Sequence, residues 1–367
     1  MFRFIGWFTA TILLAHSGWA QPTVVSTSAG PIALEVMVDG LDEPWGVDFL
    51  PDGRFLVTER AGQLLLVENG KTVPVSGVPK VVASGQGGLL DVMVPRDFTQ
   101  SREIFLTFSK RQRGGAGTAL AVGKLSRDGR RLTGTRILFE ASPGGRGGRH
   151  FGSRVIEARD GTLFVTIGDR GDRELAQDRS TYNGSIIRIN RDGSVPRDNP
   201  FVGQPDVLPE IWSYGHRNPQ GADLDANGRL WTSEHGPKGG DEVNRIRKGA
   251  NFGWPVISYG VHYSGAKIGE GTRKSGMEQP RHYWDPSIAP SGLMVYSGKL
   301  WPGWAGQIFV GSLKFDYIAR LAGNPLREVE QIKSDLTERV REIIEAPDGS
   351  IWFISVGQGA VIRMTPG

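Results

Sequence analysis

One histidine of the chain's six sits in a glycine-rich turn, Gly147-Gly148-Arg149-His150-Phe151-Gly152-Ser153-Arg154. One strand-length later comes Ile167-Gly168-Asp169-Arg170-Gly171-Asp172. A carboxylate that meets an imidazole fixes its tautomer and leaves the second ring nitrogen free to take a proton, so His150 and Asp169 are the candidate base and its orienting acid. Three further clusters carry more functional groups than turns require. Gly85-Gln86-Gly87-Gly88 places an amide in a turn; Tyr214-Gly215-His216-Arg217-Asn218-Pro219-Gln220-Gly221 gathers a cation, amides and an imidazole. The third, Ser233-Glu234-His235-Gly236-Pro237-Lys238-Gly239-Gly240-Asp241-Glu242, has the carboxylates and kinked backbone that suit a hard cation such as calcium, a solvated polar turn being the equal alternative. His216 and His235 are expected to be hydrogen-bonded structural imidazoles. Near the C-terminus Lys314 ends a strand, and Arg339 and Arg341 stand two apart, on one face of an extended segment. With Arg217 they form a set of cations able to clamp carboxylates, although an exposed basic strand face reads the same way.

The elements that would position these groups recur along the chain. Pro51-Asp52-Gly53-Arg54 precedes Phe55-Leu56-Val57-Thr58-Glu59, Asp160-Gly161 precedes Leu163-Phe164-Val165-Thr166-Ile167, Asn227-Gly228 precedes Leu230-Trp231-Thr232-Ser233-Glu234, and Asp348-Gly349 precedes Ile351-Trp352-Phe353-Ile354-Ser355. Asp-Gly and Asn-Gly supply the positive φ of tight hairpins, and the segments after them have strand composition. Weaker copies lie at Ile308–Ser312 and around Ile104-Phe105-Leu106-Thr107. Six units at about forty to sixty residues each predict an all-β chain folded as a six-bladed β-propeller. The strand after each turn is expected to line the central channel. A pair of β-sandwiches or a β-helix competes, but neither explains the recurring polar strand ends.

Composition agrees. The chain has 367 residues with 52 Gly and 22 Pro, yet 38% are hydrophobic and ten are Trp, too apolar for a disordered chain. There is no cysteine, which excludes disulfides, thiolate metal sites and cysteine nucleophiles. The formal charge of +4 shows no compact Lys/Arg block in the sequence, which argues against a nucleic-acid partner. Residues 1–20 read as a secretory signal, with Arg3, the apolar run Ile5 to Ala15 and the small residues around Ala20. The expectation is a mature single domain, 21–367, periplasmic or secreted and without stable membrane insertion.

Together these motifs, in order from about Leu41 to Gly357, resemble the soluble quinoprotein sugar dehydrogenases that use pyrroloquinoline quinone (PQQ), in particular the aldose sugar dehydrogenase branch. The resemblance implies a six-bladed propeller in which His150 is the base and Asp169 holds it. It implies cofactor contacts at Gln86, Arg217, Asn218, Lys314, Arg339 and Arg341. It places the carbonyls of Gly236 and Pro237 on a cofactor-bound calcium, and Asp241, Glu242 and the backbone of Phe252 at a second, structural calcium. The implied partners are an aldose and an unidentified electron acceptor, and shorter loops favour a monomer. Arg149 departs from the acidic residue that the soluble glucose dehydrogenases carry before the base, and Glu174 stands where they have an amide near the substrate pocket, so the resemblance does not extend to sugar preference. Two other classes compete: a calcium-dependent lactonase or esterase propeller, which needs no cationic ring, and a glycan- or protein-binding propeller without turnover.

Overall fold

The computed structural model describes residues 22–367; the leader assigned to residues 1–20 lies outside them. Six antiparallel sheets follow one another along the chain, five of them with their strands in sequence order and the sixth built from both ends of the described chain. Blade 1 runs Pro44–Phe49, Phe55–Glu59, Gln63–Glu68, Lys71–Pro74, and blade 2 Leu89–Met93, Glu103–Gln112, Gly115–Leu125, Leu132–Glu140. Blade 3 comprises Val155–Glu157, Leu163–Ile167, Ser185–Ile189 and Ile211–Tyr214; blade 4 comprises Pro219–Leu224, Leu230–Glu234, Asp241–Arg245 and His282–Trp284. Blade 5 is Pro290–Val295, Ile308–Ser312, Ile318–Ala322 and Arg327–Ile332. Blade 6 joins both ends of the described chain: Val340–Glu345, Ile351–Ser355 and Ala360–Pro366 are extended outward by Gly30–Val38 and Thr23–Thr27. Gly30–Val38 pairs with Ala360–Pro366 from Ile32↔Pro366 to Val38↔Val361 and so closes the ring.

The core is divided into wedges between neighbouring blades. Leu56, Leu66, Leu89 and Phe108 fill the gap between blades 1 and 2, Phe105, Val165 and Ile187 that between 2 and 3, and Phe309, Ile343 and Phe353 that between 5 and 6. A strand sandwiched by two wedges is buried on both faces, as Phe55–Glu59, Leu163–Ile167, Ile308–Ser312 and Ile351–Ser355 are throughout. These are the strands that the sequence repeat makes visible, one per blade. They are second from the axis, which corrects the expectation that they line the channel. The first strand of each sheet does so, and the contacts Pro44–Phe49 to Leu89–Met93, Pro219–Leu224 to Pro290–Val295, and Val340–Glu345 to Pro44–Phe49 carry it round the ring.

Register irregularities interrupt the first strand near its start in blades 1, 2, 4, 5 and 6, between Pro44/Val47, Leu89/Val92, Pro219/Gly221, Pro290/Leu293 and Val340/Glu342. Such bulges re-aim side chains at a rim. Three of these bulges bring Gln220, Ser291 and Arg341 together, Arg341 Nη1 donating to Gln220 Oε1 at 2.7 Å and to Ser291 Oγ at 3.1 Å.

Arg154 plugs the channel just below that end. Its Nη1 donates to Asp91 Oδ1 at 2.6 Å and to Glu342 Oε2, Nη2 donates to Gln220 O at 3.1 Å, and its guanidinium lies 4.6 Å from the Trp45 ring. Beneath it a cavity of about 340 Å³ is lined by Asp48, Asp91, Asp223, Glu342 and Glu345. Asp48 Oδ2 accepts from Val94 N and Asp223 Oδ2 from Val295 N, so each ties its blade to the next. Burial pushes both carboxyls up from 3.8 to about 7. A folded-state value above the unfolded one gives stability that is complete at pH below about 4 and declines as the pH rises to about 7. The double substitution Asp48→Asn, Asp223→Asn is therefore expected to raise the urea midpoint at pH 8 and leave it nearly unchanged at pH 4. Equal effects at the two pH values would remove this account.

Candidate active site

The end of the channel where first strands begin and second strands finish gathers the expected site residues. The turn before Val155–Glu157 presents His150, and the turn after Leu163–Ile167 presents Asp169. His150 Nδ1 and Asp169 Oδ1 are 2.6 Å apart and both side chains are nearly buried. The same Oδ1 accepts from Gly171 N at 2.7 Å, and Oδ2 accepts from the Trp254 indole N–H at 2.8 Å. His150 N donates to Gln86 Oε1 at 2.6 Å, so the Gln86 amide fixes the backbone that carries the imidazole. His150, Ser153 and Arg170 adopt φ of 55°, 88° and 58°. Left-handed non-glycine residues cost about 1–3 kcal/mol each and mark segments held by their surroundings. Gly168 allows the approach: a side chain there would come within 2.2 Å of His150 O.

Burial holds the His150 imidazole below its ordinary value, with Arg217 and Arg149 acting in the same direction and Asp169 opposing. Burial also works against the Asp169 charge, but the hydrogen bond and charge of His150, then Gly171 N–H and Arg217, hold it below the usual carboxylate range. The pair is therefore a neutral imidazole on an ionised carboxylate. Nδ1 carries the shared hydrogen, and Nε2, which has no partner among the described residues, is the basic atom.

The other expected residues lie on a continuous circuit around the channel mouth. Arg217 Nη1 donates to His235 O at 3.0 Å, and its guanidinium is 5.5 Å from the Trp254 ring. Asn218 Oδ1 accepts from Gly152 N at 3.1 Å, beside the base. His235 Nε2 and Arg341 Nη1 share Gln220 Oε1, at 3.1 and 2.7 Å. Arg339 Nη1 donates to the carbonyl of Leu313, and the neighbouring Lys314 is exposed with Nζ 4.8 Å from the Phe315 ring. Alternation does not aim the two arginines: Arg339 has φ 53° and Arg341 falls in the bulge between Val340 and Glu342. Burial, then the charges of Arg339 and Arg154, push Arg341 down to about 9. Lys314, Arg339 and Arg341 meet no carboxylate within ion-pair distance among the described residues, so an anionic ligand would relieve an excess of positive charge.

Behind this circuit is a cavity of about 20 Å³, lined by Glu234, Gly236, Pro237, Glu242, Phe252 and Trp254 among others. It has room for about one ion or water. Asn244 Nδ2 donates to Glu234 Oε1 and Glu242 Oε2, both at 2.9 Å, while Asn244 Oδ1 is buried without a partner. Burial and the nearby Glu234 push the Glu242 carboxyl up to about 8. Buried carboxylates that repel one another, beside an orphaned amide oxygen, are the donor set a hard cation takes, although no group of three or more His, Cys, Asp or Glu converges among the described residues. Asp241 stands apart. Its oxygens accept from Gly236 N at 2.7 Å and from Ser287 Oγ and Ala289 N at 2.7 and 2.9 Å, so it shapes the turn that aims the Gly236 and Pro237 carbonyls. His216 is a structural imidazole, between Ser213 Oγ and Glu234 Oε1 at 3.0 Å each and stacked on Phe252. His235 is likewise bonded, and burial keeps it well below its ordinary value.

Sequence reasoning did not single out Trp254 or Asn244, and it gave Gln220 and Glu234 no individual role within their clusters. Glu234 ends the second strand of blade 4 much as Asp169 follows that of blade 3, a repeat position that would have found it. Trp254 reaches Asp169 from another blade and carries no local signal.

The six-bladed propeller is the fold of a family of sugar dehydrogenases, and the chain belongs to that family: the family model described as Glucose / Sorbosone dehydrogenase matches residues 41–363. The aldose sugar dehydrogenase YliI of Escherichia coli is 40% identical over 365 residues, covering 97% of this chain and 96% of that protein. The crystal structure of the soluble aldose sugar dehydrogenase from Escherichia coli in the apo-form superposes with a TM-score of 0.88, covering 92% of this chain and 100% of that one. The PQQ-bound aldose sugar dehydrogenase of Streptomyces coelicolor is 25% identical with a TM-score of 0.77, covering 94% of this chain and 99% of that one.

Proposed function

We propose that the protein oxidises the anomeric hydroxyl of aldose sugars to the lactone, with His150 as general base, PQQ as hydride acceptor and calcium as its companion ion. The observation that carries the reading is the 2.6 Å His150–Asp169 pair facing a ring of cations without carboxylate partners. Gln86, Arg217, Asn218, Lys314, Arg339 and Arg341 are the residues that would hold the cofactor, and the carbonyls of Gly236 and Pro237 would hold its cation. Bound there, the quinone supplies the hydride-accepting carbon and the cation polarises its oxygens.

His150 Nε2 removes the proton from the C1 hydroxyl as the C1 hydrogen leaves with its electron pair. Asp169 stabilises the imidazolium that forms, and Trp254 and Gly171 keep that carboxylate in line. The second, structural calcium is proposed at the Glu242 and Phe252 carbonyl side of the small cavity, with Asp241 shaping the adjoining turn. Removal of residues 1–20 on export to the periplasm or the medium belongs to the same proposal.

The test is reconstitution. Protein stripped with a chelator and given PQQ plus calcium is expected to reduce a phenazine dye with pentoses, hexoses and disaccharides, and to do so only when both are supplied. No dye reduction with any sugar would overturn the reading. Hydrolysis of a sugar lactone by the PQQ-free protein would replace it with metal-activated water.

A further inference from the structure

Two loops distant in sequence form one basic surface beside the base. Residues 110–119 and 141–150 hold Lys110, Arg111, Arg113, Arg146 and Arg149 and no Asp or Glu, whereas the whole chain has a formal net charge of only +4. The loops are joined by Ala116 N to Gly145 O, Gly145 N to Ala116 O and Gly144 N to Arg113 O, each 3.0 Å. Lys110 is neutralised by Glu140 at 2.8 Å. The four arginines are exposed, and none makes an ion pair or side-chain hydrogen bond among the described residues. Folding thus assembles a charge block that the linear sequence does not display.

Three features give the surface a purpose. Arg111 and Arg146 line a groove of about 210 Å³ whose floor is the Gly145 to Gly148 backbone and Phe151, so the loop that presents His150 also presents the charge. Glycines at 114, 115, 144, 145, 147 and 148 leave few side chains between the guanidinium groups, and a partner can approach the backbone closely. Arg113 sits at a hairpin tip and Arg149 against Gly171 beside the His150–Asp169 pair, so the cations run from the hairpin to the active-site mouth. No exposed aromatic side chain lines the groove to stack on bases.

Electrons must leave at this end of the channel. On the function proposed above, each aldose gives up two electrons and two protons on becoming the lactone. With a one-electron carrier the balance is aldose + 2 carrier(oxidised) → lactone + 2 carrier(reduced) + 2 H⁺, the protons passing to water. We propose that the surface of Arg111, Arg113, Arg146 and Arg149 docks an acidic one-electron carrier protein beside the active-site mouth. Complementary charge steers such encounters and raises on-rates, an effect that salt screens.

The test uses the reconstituted holoenzyme and the triple variant Arg111→Gln, Arg113→Gln, Arg146→Gln. Plastocyanin, with its acidic patch, is the probe; cytochrome c, a basic haem protein, and a phenazine dye are controls. Expected is a fall of about tenfold in kcat/KM for plastocyanin in the variant, matched for the parent protein by about 200 mM salt, with the dye rate and Tm unchanged. Titration of plastocyanin into PQQ-free protein, followed by calorimetry, is expected to show weaker binding by the variant. A plastocyanin rate indifferent to both substitution and salt, with the dye rate intact, overturns the docking surface. Absence of dye reduction in the parent protein overturns instead the functional reading on which it rests. Salt-dependent retention on duplex DNA that the variant loses, without any plastocyanin effect, would make the surface a nucleic-acid site and overturn the proposal.

Discussion

Replacing His150 by glutamine is expected to lower aldose turnover by about 10²–10⁴-fold while PQQ affinity and Tm stay near those of the parent protein. Glutamine keeps a polar group of similar reach, so the Gln86 contact to the backbone N–H and the packing of the turn survive. What disappears is the basic Nε2. Because burial, then Arg217 and Arg149, keep the imidazole below its ordinary value against the pull of Asp169, the neutral, active form persists below pH 6.5. The acid limb of kcat/KM in the parent protein should therefore lie below pH 6.5 and be absent from the residual activity of the variant. Asp169→Asn is the companion. Losing the carboxylate removes the stabilisation of the imidazolium and the only opposing influence, so its acid limb moves lower still and kcat falls. A variant at position 150 that retains a tenth or more of the activity would remove the imidazole from the reaction.

Arg154→Met is expected to destabilise the fold by about 3–5 kcal/mol, the largest stability effect of any single substitution considered in the channel. Methionine replaces the aliphatic stem, but Asp91 and Glu342 are left buried without the cation they share, and Gln220 O loses its donor. The carboxyls then hold their protons, so the deficit should narrow as pH falls from 8 towards 5, where neutral carboxyls are cheaper to bury. The triple substitution Arg154→Met, Asp91→Asn, Glu342→Gln removes every formal charge and should recover most of the loss in urea denaturation. Equal instability of the single and triple variants would mean that shape, and not uncompensated charge, sets the cost.

How much of this was legible beforehand follows from where the signals lie. Strands buried on both faces are local patterns, and Asp-Gly or Asn-Gly precedes those at Phe55, Leu163, Leu230 and Ile351, so all six blades could be found from these four and the weaker copies at Ile104 and Ile308. The channel-lining strands were missed because they are short or bulged, Val155–Glu157 being three residues. His150 and Asp169 were found because one hairpin separates them. Residues whose partners come from other blades left no trace: Arg154 ties blade 3 to Asp91 of blade 2 and Glu342 of blade 6, and Trp254 crosses from blade 4 to the acid of blade 3. The alternation rule misjudged the aim of Arg339 and Arg341 for a similar reason, since the bulge and the left-handed φ that redirect them are set by the ring's geometry.

The pairing of Gly30–Val38 with Ala360–Pro366 has a consequence for biogenesis. A chain emerging N-terminus first must leave its opening hairpin unmatched until its final seven strand residues appear. Every shorter nascent length is an open arc whose two raw sheet edges cannot find each other. The channel mouth, drawing Gln86 from an early blade and Arg341 from the last, is thus completed only when the circle locks, and truncation of a few terminal residues should be felt there as well as at the closing blade.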